Sequence, residues 1–168
     1  MLKSIKRNQK VDPLLLSEFI VFKFGPMSHL KLQKLLYYVQ GYHLAYFETP
    51  LFNEDFEAWV HGPVCREVFN KVKEHSLLYN DLQFILESGD TPPDKKISEQ
   101  LSADQLDLIN DVLTEYKDLT GLELENLTHQ ESPWLEARDG YDIGERCSQT
   151  ISKQTMQEYF KTQLDGTT

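Results

Sequence analysis

Apolar positions recur at helical spacing almost from the start of the chain. Leu15, Leu16, Phe19, Ile20 and Phe22 follow Asp12-Pro13, a capping side chain and a proline at the first helical position, and Gly25-Pro26 closes the run. Ser28 is then placed to cap a second helix whose Leu32, Leu35, Leu36, Val39 and His43 form one stripe up to Thr49-Pro50. After Pro50 the period falls to two: Phe56, Ala58 and Val60 alternate with Glu57, Trp59 and His61, which predicts a strand. Gly62-Pro63 is expected to end that strand and open a third helix, with Val64, Val68, Phe69 and Val72 as its buried stripe. A second strand is expected at 82–86, paired with Phe56–Val60, because an isolated strand leaves its backbone groups unsatisfied.

The second half returns to helical periodicity. Ser102 with Gln105 three residues on is a capping-box signal ahead of Leu106, Ile109, Val112, Leu113 and Tyr116, and Gly121 is expected to end that helix. A short helix over Leu122 to Thr128 and another over Glu131 to Arg138, around Ser132-Pro133-Trp134, lead to a Gly-containing loop from Asp139 to Ser148. Ser152 caps a last helix anchored by Met156, Tyr159 and Phe160. The fold class that follows is mainly α, a single compact helical domain with a small two-stranded β-element over 12–162, between a flexible N-terminal tail (1–11) and a C-terminal tail (163–168).

Composition narrows the function classes. A chain of 168 residues is long enough for one packed core. Its net charge of −10 disfavours polyanions, nucleic acid among them, as partners. The charge is polarised: residues 1–80 hold 10 Lys and Arg against 8 acids, and residues 81–168 hold 7 against 19. That asymmetry reads either as solvated helix faces or as an acidic face for a basic partner. Apolar runs fall well short of the ~20 residues a membrane span needs, and no signal-peptide core follows the Lys-bearing start, so the expected location is the cytoplasm, without membrane. Cys65 and Cys147 lack the spacing of a zinc site and read as free thiols. The eight glycines form neither a P-loop nor GxGxxG, and the five histidines never fall at a short ligand spacing; neither a cofactor nor a metal is expected.

Three places carry candidate chemistry. His43 falls on the inward stripe of the second helix and reads as a hydrogen-bonded core histidine. His61 and His129 each lie beside a tryptophan and a helix start, in Trp59-Val-His61-Gly62-Pro63 and Thr128-His129-Gln-Glu131-Ser-Pro133-Trp134. An enzyme using these corners would need a nucleophile, and no Ser or Cys sits in an elbow sequence, so no catalytic residue is assigned. The alternatives are structural pairing with free groups at helix ends, and contact with a partner. On the second helix, Lys31, Lys34 and Tyr38 share a stripe beside the core face, flanked by Tyr37 and Gln40. This stripe is the expected partner-binding surface, although tyrosines half-buried at a domain edge give the same pattern.

These residues carry a resemblance. The run Met27-Ser-His-Leu-Lys-Leu-Gln-Lys-Leu-Leu-Tyr-Tyr-Val-Gln-Gly-Tyr-His-Leu-Ala45, then Phe52, Glu57-Ala-Trp59, Gly62-Pro-Val64 and Leu127-Thr-His-Gln-Glu-Ser-Pro-Trp134, resembles the Panacea, or SocA-like antitoxin, domain over roughly residues 12–160. The residues matching its pattern are Lys31, Gln33, Lys34, Leu35, Tyr37, Tyr38, Glu57, Trp59, Gly62, Pro63, Thr128, His129, Pro133 and Trp134. The structural part of that motif is expected to be Trp59, Gly62, Pro63, Thr128, His129, Pro133 and Trp134. The resemblance implies a mostly helical cytoplasmic antitoxin, not an enzyme, that binds a cognate protein toxin often encoded beside it. It leaves open a phage or prophage protein, and an adaptor that hands a toxin to a protease or chaperone. It does not fix the oligomeric state.

Overall fold

A computed structural model describes residues 9–73 and 91–165. Among the described residues the chain forms α1 (Pro13–Phe24), α2 (His29–Phe47), β1 (Phe56–Trp59), β2 (Gly62–Cys65), α3 (Arg66–Val72), α4 (Pro93–Gln100), α5 (Ala103–Tyr116), α6 (Gly121–Thr128), α7 (Ser132–Ala137), β3 (Thr150–Ile151) and α8 (Lys153–Leu164). The helices start where side-chain acceptors meet free backbone N–H groups: Asp12 takes the Leu14 N–H, Ser28 that of Lys31, and Ser152 those of Gln154 and Thr155. Ser102 with Gln105 and Thr120 with Glu123 form full capping boxes.

Helix α2 is the axis of the molecule. Of its 19 residues, 15 are buried, because α1, α5, α6, α8 and β2 all pack around it. Gly41 lets α8 approach: a Cβ there would lie 2.1 Å from the Phe160 ring. The inner face of β1, Phe56 and Ala58, joins this core with Leu51, Phe52, Ile151 and Phe160.

The fold is mainly α, as the periodicity predicts, but its sheet differs from expectation. Three antiparallel strands lie in the order β2-β1-β3. Gly62-Pro63 does not open a helix; it opens β2, with Trp59 opposite Gly62 and Ala58 opposite Pro63. Gly62 takes φ +100°, the left-handed backbone that lets a strand reverse after the Val60-His61 turn. Pro63 loses nothing there, because an edge strand tolerates a residue without an N–H. Helix α3 therefore starts at Arg66. The strand expected at 82–86 lies outside the described residues; β1 pairs instead with β2 and with the short β3, through Phe56 opposite Ile151. Gly121 begins α6 and does not end α5. Residues 9–11 are tied down: the Val11 N–H donates to the Leu51 carbonyl, and the Gln9 N–H to the Gln105 side chain.

Candidate functional site

The tight β1–β2 hairpin is wrapped by side chains. Three successive carbonyls, of Ala58, Trp59 and Val60, accept hydrogen bonds from Arg138 Nη1 (2.8 Å), Trp134 Nε1 (2.8 Å) and the His129 ring. These donors form a stack. The His129 and Trp134 rings lie 4.1 Å apart at 21°, and the Arg138 guanidinium sits 5.0 Å from the Trp134 ring on its way to β1. Helices α6 and α7 set this spacing because each is barely two turns long and one tight turn joins them, with the Glu131 N–H bonded to the Thr128 carbonyl. Arg138 also donates from Nη2 to the carbonyls of Asp142, Ile143 and Glu145, pinning the 139–148 loop to the sheet.

The outer edge of β2 is closed by α2. Lys34 Nζ donates to the Pro63 carbonyl at 2.9 Å. The Gln33 amide meets Cys65 on both sides: its Oε1 accepts the Cys65 N–H at 2.8 Å, and its Nε2 donates to the Cys65 carbonyl at 3.3 Å. A glutamine thereby replaces the next strand, so the edge offers no free ladder. Gly62 is required by this closeness as well as by its φ, since a Cβ would lie 2.6 Å from Lys34 Cε and 2.8 Å from Thr128 Oγ1. Burial brings the Lys34 ammonium down to about 7, against the pull of Glu125. Burial, aided by Lys34, lowers His29 to about 4, and the Gln33 amide lies 3.0 Å from its Nε2.

A second buried polar cluster lies one turn further along α2. Tyr38 donates to Glu131 Oε2 at 2.9 Å and stacks on Tyr116 at 4.2 Å. Burial pushes the Glu131 carboxyl up to about 7, opposed by hydrogen bonds from Tyr38 and Tyr159. The Tyr38 phenol is raised well above its ordinary value, first by burial and then by Glu131. Tyr37 packs edge-on against Tyr38, Phe56 and Phe160. Gln40 repeats the Gln33 device, taking the Leu51 N–H and giving to the Phe52 carbonyl, both at 2.8 Å. His43 is a hydrogen-bonded core histidine, with Nδ1 2.7 Å from the Thr49 carbonyl and Nε2 3.0 Å from Gln105.

The stripe expected to face a partner on the second helix is largely buried. Lys34, Tyr37, Tyr38 and Gln40 each have 0% of their surface exposed. Lys31 alone of the five reaches solvent, half-buried, with its Nζ on the Lys117 carbonyl. The periodicity argument sends polar side chains outward by default, whereas α2 is enclosed along most of its length and Gln33, Lys34, Tyr38 and Gln40 are spent on carbonyls, backbone N–H groups and a carboxyl, while the buried Tyr37 hydroxyl has no hydrogen-bond partner. Of the residues expected to be structural, Trp59 and His129 are half-buried, and Gly62, Pro63, Thr128, Pro133 and Trp134 are buried; all seven lie at or beside the hairpin. The sequence alone gives Arg138 no role at the site, although it stands four residues after Trp134, a spacing from which the pair is readable; it places Gln105 only as a capping partner and Glu131 only beside His129, and nothing in the pattern marks their long-range bonds to His43 and Tyr38.

Outside the hairpin lies an open groove of about 400 Å³, bounded by Trp59 to His61, α3 and residues 146–148. Its floor is the half-buried side of β1. Trp59 meets the Phe69 ring edge-on at 4.8 Å, Arg66 lies 5.3 Å over Trp59, and Glu57 binds both Trp59 Nε1 and the Arg66 guanidinium at 2.7–2.8 Å. Hydrogen bonds from Arg66 and then Trp59 outweigh partial burial and hold the Glu57 carboxyl below its usual value. Among the described residues no group of three or more His, Cys, Asp or Glu side chains is placed to hold a metal ion, and no helix is long and apolar enough to cross a membrane.

A central helix whose polar side chains brace a small β-hairpin, with the hairpin's outer face left as a groove, defines a helical domain organised around that hairpin. The chain belongs to the family described as "Antitoxin SocA-like, Panacea domain", whose model matches residues 32–135, from within α2 to the middle of α7. Among curated proteins it is similar to "Antitoxin SocA" of Caulobacter vibrioides (strain NA1000 / CB15N), 42% identical over 65 residues. That match takes in 36% of this chain and 35% of the relative, so the chain spans about a third of the relative's length. No solved structure matches.

Proposed function

We propose that the protein is a cytoplasmic antitoxin that neutralises a cognate protein toxin by binding it directly, without catalysis. The observation that carries this reading is the family match over 32–135, which takes in the whole hairpin and most of the side chains that brace it. Binding is favoured over catalysis by how the motif spends its polar groups. Lys34, Trp134 and Gln33 are held on backbone carbonyls, and Tyr38 on Glu131, where a reacting group would need to face a substrate. His129, the motif's best general-base candidate, lies flat on Trp134 with its unpaired Nε2 buried away from solvent.

Co-expression with the protein encoded by the adjacent reading frame tests this. The expected result is restored growth and co-purification of the two chains at fixed stoichiometry, with His129→Asn losing rescue only in proportion to lost melting temperature. Rescue without any complex, abolished by His129→Asn in a fully folded protein, would overturn the reading and return the hairpin to enzymology.

A further inference from the structure

The groove beside the hairpin gathers cations in an acidic chain. In a chain of net charge −10, three of its walls carry Lys or Arg: Arg66 and Lys73 at either end of α3, and Arg146 across the gap. Arg66 is neutralised by Glu57, but Lys73 and Arg146 are exposed and form no ion pair with any described carboxylate. Between them lie the half-buried rings of Trp59 and Phe69, with Asn70 and Ser148 offering polar contacts at the rim. The mouth thus combines an apolar floor with two cations on opposite sides.

We propose that this groove is a docking site for a short acidic segment of a protein partner, one bearing an apolar side chain that seats on Trp59 and Phe69 between carboxylates paired with Lys73 and Arg146. The inference rests on the reading of this chain as a protein-binding module and names the surface and the partner chemistry. Charge complementarity selects the occupant. A long polyanion would meet the repulsion of an acidic body, whereas a segment of a few residues feels mainly the local cations, because screening confines their field to about 8–10 Å. Aromatic anchors flanked by charges match the make-up of interface hot spots.

The test selects binders from a displayed library of random short peptides on the purified full chain, then measures affinity for wild type and for the Lys73→Glu/Arg146→Glu double variant. The expected outcome is enrichment of Asp and Glu around one aliphatic or aromatic residue, and a loss of affinity of about tenfold or more in the double variant, whose circular dichroism stays unchanged. Recovery of no peptides, of neutral or basic peptides, or of acidic peptides indifferent to the charge reversal would overturn the proposal. So would a single-stranded oligonucleotide bound through Lys73 and Arg146 where acidic peptides fail. The two readings fail separately. Peptide binding without toxin rescue leaves the groove standing and removes the antitoxin assignment, while rescue with no acidic peptide selected removes the groove alone.

Discussion

The two faces of β1 have opposite fates. On the inner face, Phe56 and Ala58 are sealed against α2 and α8, and the backbone groups of Cys65, Pro63 and Trp59 find a glutamine, a lysine and an indole N–H. On the outer face, Glu57 and Trp59 are half-covered by α3, and cations stand over an open floor. Most of the residues that resemble the family pattern lie on the sealed side. A shared pattern of polar and aromatic residues can therefore specify how a hairpin is held, while the surface that meets another molecule lies next to it with few pattern residues of its own.

If the sealed side is the scaffold, damage there should be costly. Trp134→Ala should have the largest effect, about 3–5 kcal/mol, because it opens a ring-sized cavity between His129 and Arg138 and leaves the Trp59 carbonyl without its donor. Denaturant titration measures it, and a loss below about 1 kcal/mol would move Trp134 out of the scaffold. Gly62→Ala comes next. It combines about 1–3 kcal/mol of backbone strain at φ +100° with an overpacking cost of similar size against Lys34 and Thr128. Melting curves that coincide with wild type would contradict it.

A smaller and more specific effect separates Lys34 from a surface lysine. Its folded value near 7 lies below the unfolded 10.5, so between these limits the unfolded chain binds more protons and stability rises with pH. From pH 7 to 9 the wild type should gain stability relative to Lys34→Met, which keeps most of the buried stem but cannot titrate. Parallel pH profiles for the two proteins would show that Lys34 is not held in a dry site.

How much of this was legible depends on how local the signal is. The caps at Asp12, Ser28, Ser102 and Ser152 could be read directly, because a capping side chain bonds within three residues of itself. Gly62-Pro63 was ambiguous for a physical reason: proline suits both a first helical position and an edge strand, and only the pairing of Trp59 with Gly62 decides. β3 is two residues long, too short to show alternation, and α4 follows a proline pair with Ile97 as its one fully buried aliphatic side chain. The polar face of α2 was misread most fully. Gln33, Lys34, Tyr38 and Gln40 find partners 11 to 93 residues away, and no periodicity within one helix reports such distances.

The central claim, that Lys34 of α2 is a buried brace of the hairpin, is tested most directly by amine labelling of the native protein, read residue by residue by mass spectrometry. Lys34 carries an amine whose value near 7 would leave it less protonated, and so more reactive, than an ordinary lysine if reagent could reach it. The account predicts that Lys73, exposed at the groove, labels promptly while Lys34 stays unmodified until the protein is unfolded. Labelling of Lys34 at the rate of Lys73 in the folded protein would contradict it.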